Sequence, residues 1–293
     1  MKRKLTRFAA GLLAVPVLVL AGCARAPEPA LAVPMVGEAT APADAEALLA
    51  QFADFPVERT PRPILLFSGR VMEYGYTSGD AKIAVSLGRL ALRAELPDSP
   101  ATVRATLHDG AFELPAISAR QAYDMLLAVG DPKSAPDANP APLAITKVTL
   151  GEAEFSTDRG LRKLPAWLFT AAESFQPIAV LALADTAFWP AERMKGAMGP
   201  AGLAADGVTL TVRLTTPGPP CPGRLANQYE AEVVESAKAA LVRLRIVATP
   251  PAASPGTPEG CARFAKLYTE EFTVRLAQPL GNRVLLHTSE HPS

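Results

Sequence analysis

The chain has 293 residues, enough for one large domain or two small ones, and 49 % of them are hydrophobic, which excludes wholesale disorder. Lys plus Arg equals Asp plus Glu at 29 each, a balance that argues against a polyanion-binding surface and so against nucleic acid as a partner. The 29 prolines are roughly double the average usage of about 5 %. They cluster, which points to strands joined by stiff loops rather than to a helix bundle.

The first element is a targeting signal. Lys2, Arg3, Lys4 and Arg7 precede an uncharged apolar run from Phe8 to Leu20. That run is short for a bilayer span, which needs about 20 apolar residues. A basic start, a short apolar stretch and small residues after it describe a secretory signal over 1–22. The run ends in Leu20-Ala21-Gly22-Cys23, which resembles the lipobox of bacterial lipoproteins. The resemblance implies that Cys23 carries diacylglycerol as the first residue of the mature chain, and that the partner is the lipid bilayer. Two acyl chains suffice for stable anchoring at about 0.8 kcal/mol per buried CH₂. Removal of the signal leaves 25 basic against 29 acidic residues, formally −4, so the tether is lipid rather than attraction to anionic headgroups. The expected location is extracytoplasmic, on the bacterial cell membrane.

Residues 23–60 are expected to form an Ala/Pro-rich stalk. Within it, Leu48, Leu49, Phe52 and Phe55 fall at helical spacing, a short helix that either docks on the first domain or stays in the stalk. A β-rich domain is expected over 61–192. Ile64 to Phe67 reads as a buried strand. Ile83, Val85 and Leu87 alternate, as do Leu90, Leu92, Ala94 and Leu96, and both runs read as strands. Val103, Ala105 and Leu107, then Asp109-Gly110, then Phe112 and Leu114 predict a hairpin with a tight turn. Ser118 with Gln121 forms a capping box, and Ala122, Tyr123, Met125, Leu126 and Val129 follow at helical spacing, so one helix is expected near 118–129. After a proline-rich loop at 131–142, strands are expected around Ile145 to Phe155 and an antiparallel pair at Leu164 to Phe169 and Ile178 to Leu183, with Thr157-Asp158-Arg159-Gly160 as a turn. The Ala/Gly/Met-rich stretch Ala191 to Leu203 reads as a short helix or a linker.

Strict alternation then returns in Val208 to Leu214, Tyr229 to Val233, Val242 to Ala248 and Phe272 to Leu276, with an apolar close at Val284 to Leu286. This predicts an antiparallel β-sandwich-like module over 205–293. The fold class is therefore mainly β with a few helices, a β-rich α+β chain built of antiparallel sheets. Cys221 and Cys261, the pair left after Cys23, are expected to form a disulfide in an exported protein.

Motifs for chemistry are sparse. The chain contains no Gly-x-Ser-x-Gly, no Ser-x-x-Lys, no His-Glu-x-x-His, and neither a phosphate loop nor a dinucleotide fingerprint. No cofactor and no metal are expected. His108 beside the Asp109-Gly110 turn reads as an exposed turn residue. Glu152 with Glu154, and Glu230 with Glu232, share strand faces; a glycosidase pair and a wet strand face are the alternatives, and the alternation favours the second. Asp158 and Arg159, in a turn a few residues before Trp167, with Trp189 after the paired strand, form a candidate ligand rim; the plainer reading is a structural ion pair beside core tryptophans.

Thr157-Asp158-Arg159-Gly160 with Leu164-Pro165-Ala166-Trp167-Leu168-Phe169, Cys221, Tyr229-Glu230-Ala231-Glu232-Val233-Val234-Glu235-Ser236, Cys261 and Pro279-Leu280-Gly281-Asn282-Arg283 resemble lipid-anchored or exported, uncharacterised proteins of high-GC Gram-positive bacteria. The resemblance implies no activity. The expected role is a membrane-tethered, non-enzymatic binding or envelope-interaction module whose partner is an envelope protein or polymer. The alternatives are an envelope hydrolase acting on a cell-wall polymer and a solute-binding lipoprotein of a transporter.

Overall fold

One long hairpin organises the first half of the body. In the computed structural model, which describes residues 45–190, 202–216, 227–248 and 268–287, strand β5 (Leu143–Thr157) turns through Asp158 and Arg159 into β6 (Gly160–Ala171). Their antiparallel register runs from Thr157↔Gly160 to Ile145↔Ala171, with one irregularity between Ile145 and Lys147. Gly160 takes φ +80°, which the tight turn demands and a side chain would resist. β7 (Ile178–Leu181) pairs antiparallel with β6, and β1 (Val71–Met72) with β7. β2 (Leu90–Leu92) adds to β5 in parallel, giving the order β1-β7-β6-β5-β2.

This sheet is covered on both faces. Ile178 and Val180 look into one core with Trp167, Phe169 and the helices α2 (Gly79–Ser86) and α3 (Ala119–Ala128). Ala179 and Leu181 look into another, under the hairpin of β3 (Thr102–Leu107) and β4 (Gly110–Pro115). Burial on both faces is why β7 reads as an unbroken apolar run. The predicted capping box is present: Gln121 N–H donates to the Ser118 hydroxyl while the Gln121 side chain accepts from the Ser118 N–H.

The stretch Ile83 to Leu87 departs from its strand reading and belongs to α2. Ser78 caps that helix by accepting from Ala81 N–H at 3.1 Å, and Ala81, Ala84 and Val85 form the buried stripe at helical spacing. α2 and α3 end against each other. A Cβ added to Gly130 would lie 1.9 Å from the Gly88 nitrogen, so the two backbones touch where neither residue has a side chain.

Among the described residues, the second half forms a pair of three-stranded sheets. β9 (Thr209–Thr216) is flanked by β8 (Gly202–Leu203) and β12 (Tyr268–Arg275), and β11 (Ala239–Ala248) by β10 (Gln228–Glu235) and β13 (Val284–His287). Leu210, Val212 and Leu214 of β9 meet Ala240, Val242 and Leu244 of β11 in one core, a sandwich-like arrangement. The sheets are not antiparallel throughout, since β13 runs parallel to β11.

The opposite face of β11 and β13 is also covered. Ala239, Leu241, Val284 and Leu286 pack on α1 (Ala45–Ala50), Phe52, Phe55, Leu65 and Trp189. The short helix near residue 48 thus packs on the C-terminal strands. Ile64 to Phe67 makes isolated bridges, Ile64 to Phe188 and Leu66 to Thr157, rather than a full strand. Among the described residues, no helix is long and apolar enough to cross a membrane.

Candidate functional site

The tip of the β5–β6 hairpin is driven into the body instead of facing solvent. Thr157 shapes it: its hydroxyl donates to Gly160 O at 2.8 Å and accepts from Arg159 N–H at 3.1 Å. The turn presents Asp158, whose side chain is 1 % exposed, to Arg62, whose side chain is 2 % exposed. Arg62 Nη2 donates to both Asp158 oxygens at 2.5 and 2.6 Å. Its Nη1 donates to the carbonyls of Asn282 and Arg283 at 3.0 and 3.3 Å, and its guanidinium carbon lies 5.1 Å from the Phe55 ring centroid. Asp158 Oδ2 also accepts from Leu285 N–H at 3.3 Å, at the start of β13.

Arg159 follows the same route. Its Nη2 donates to the carbonyls of Gly281 and Arg283, both at 2.7 Å, and its Nε lies 4.0 Å from Asp158 Oδ2. Two arginines thereby gather the carbonyls of the turn that enters β13. Burial pulls the Arg159 pKa down to about 10, and the charges of Arg62 and Arg162 act in the same direction against Asp158 and Asp109. The group stays cationic at neutral pH.

His108 completes the cluster and is not an exposed turn residue, its side chain being 19 % exposed. The Asn282 amide donates to Val57 O at 2.9 Å, which leaves Asn282 Oδ1 to accept from His108 Nε2 at 3.2 Å. His108 Nδ1 is then the unprotonated nitrogen, 3.7 Å from Asp109 Oδ1. Burial lowers the His108 pKa from its ordinary value, and Arg159 and Arg62 lower it further; Asp109 and the Asn282 bond oppose them. Asp109 Oδ2 accepts from Arg62 N–H at 3.3 Å, so the β3–β4 turn is tied to the same point.

Of the candidate rim residues, the fold brings Asp158 and Arg159 together and leaves the tryptophans elsewhere. Trp167 is 1 % exposed in the helix-covered core and donates through Nε1 to Ile117 O at 3.0 Å. Trp189 lies on Phe55, ring centroids 5.0 Å apart, under β11 and β13. Cys23, Cys221 and Cys261 lie outside the described residues. Local reading of the sequence assigns no site role to Arg62 or Asn282, and His108 reads there as an exposed turn residue. Their partners are tens to hundreds of residues away, and the one local sign was Arg62 between Pro61 and Pro63.

A small cavity of about 20 Å³ lies beside the ion pair, with Arg62, His108, Asp158, Arg159 and Arg162 among its lining residues. A larger groove of about 500 Å³ crosses the outer sheet surface, lined among others by Tyr74, Glu152, Glu154, Lys163 and Gln176. Glu152 and Glu154 are exposed and alternate with buried Ala153 and Phe155, and Lys163 faces Glu154 across the hairpin. The guanidinium-rich lining of the small cavity would repel a cation. Among the described residues, no three His, Cys, Asp or Glu side chains converge to hold a metal ion. Compared with protein-family models, curated proteins and solved structures, the chain matches none.

Proposed function

We propose that the protein is exported and held on the membrane by a diacylglyceryl group on Cys23, and that its β-rich body serves as a non-enzymatic binding or envelope-interaction module. The observation that carries this reading is Leu20-Ala21-Gly22-Cys23 directly after a basic start and a short apolar run. The body supplies a fitting support. Its buried charges hold the hairpin tip to β13, and the 500 Å³ groove offers carboxylate, ammonium, amide and phenol groups on one surface. A concavity of that size suits a single small group or a short segment of a polymer or protein. The partner sought is an envelope protein or polymer.

The test is membrane fractionation of the full chain expressed with its signal. The native chain is expected in the membrane fraction and the Cys23→Ser variant in the soluble one. If Cys23→Ser still sediments with membranes, the lipid anchor is ruled out.

A further inference from the structure

Among the described residues, the small cavity beside Arg62 and Asp158 carries more positive than negative charge. Arg62, Arg159 and Arg162 face Asp158 and Asp109, and His108 is uncharged there, so one cationic charge remains in excess. A guanidinium cannot shed its proton to escape the cost of burial; Arg62 and Arg159 are buried and Arg162 is half-buried, so an excess charge here is only partly solvated.

The donors point the same way. The Arg159 side chain is 5 % exposed, and its Nη1 and Nε are buried with no hydrogen-bond partner among the described residues. Arg162 Nε, on the next stretch of β6, is buried and equally unmet. The cavity that both residues line measures about 20 Å³, room for one water-sized occupant. A space of that size holds a monatomic ion. A water would accept from the orphan donors and has acceptors for its own hydrogens in the cluster, Asp109 Oδ1, which is buried and unmet, and His108 Nδ1, but it would leave the excess charge uncancelled.

We infer that this cavity is a chloride site, a monatomic inorganic anion held between Arg159 and Arg162 beside the Arg62–Asp158 pair. The anion accepts from the unmet N–H groups and cancels the excess charge. It braces the hairpin tip where it meets the turn before β13. The site lies in the folded body and is independent of the lipid anchor.

Two measurements on the full chain in detergent test it. The first is thermal unfolding in sodium chloride or bromide against sodium gluconate at equal ionic strength. A saturable, halide-specific rise in Tm is expected, about 3–5 °C once halide is tenfold above its dissociation constant, and Arg162→Gln is expected to lose it. The second is anomalous scattering from crystals of the unmodified chain soaked in bromide, with a peak expected between Arg159 Nη1 and Arg162 Nε. Identical Tm curves in halide and gluconate, a halide response retained by Arg162→Gln, or no bromide peak in the cavity would each overturn the assignment. The diffraction result decides even if Arg162→Gln fails to fold.

Discussion

Replacing Asp158 by Asn removes one charge from the buried hub and almost no volume. Arg62 is then left 2 % exposed with its counter-charge gone, and Arg159 loses the carboxylate 4.0 Å from its Nε. Breaking one side of a buried pair costs about 3–5 kcal/mol, because the remaining charge stays desolvated. At about 2–4 °C per kcal/mol for a domain of 150–250 residues, Asp158→Asn should lower Tm by about 6–20 °C. Circular dichroism melts at fixed pH and salt measure this. The matching cycle adds Arg62→Met and the double variant, whose loss should fall short of the sum of the singles. The reasoning fails if Asp158→Asn costs less than about 1 kcal/mol, the value of a solvated surface pair.

Gly130→Ala should destabilise the chain by at least the 1–3 kcal/mol typical of overpacking, since its Cβ would meet the Gly88 nitrogen at 1.9 Å and Gly88 Cα at 2.3 Å. The denaturation midpoint reports it, and an unchanged midpoint would show that the ends of α2 and α3 do not touch. His108 should make stability depend on pH. Its folded pKa lies below the unfolded 6.5, so the unfolded chain binds the proton first as pH falls, and stability drops between about pH 6.5 and the lower folded value. His108→Asn should flatten that part of the stability curve, and an identical slope in both proteins would refute the neutral, buried imidazole.

Elements specified by neighbours along the chain were legible. The capping box at Ser118 and Gln121, the β3–β4 hairpin and the strict alternation in 209–216 depend on groups a few residues apart and are found, although the hairpin turns one residue earlier than Asp109-Gly110, through His108-Asp109, with Gly110 already paired to Leu107. α2 was not, because Ile83, Val85 and Leu87 alternate while the residues actually buried, Ala81, Ala84 and Val85, are small and weak in a hydrophobic pattern. The parallel pairing of β13 on β11 was also hidden, because period-2 alternation marks a strand without giving its direction.

The candidate site divides along the same line. By itself the sequence determined a charged, glycine-ended turn at Asp158-Arg159 and a hairpin behind His108, since turn chemistry is local. Only the tertiary structure decided that the turn is buried, that Asp158 answers Arg62 from 96 residues away, and that Arg62 and Arg159 hold carbonyls more than 120 residues further on. The reason is physical. A buried charge is stable only where opposite charge and hydrogen-bond partners converge around it, and that convergence belongs to the packing of β13 against the hairpin tip rather than to any one segment.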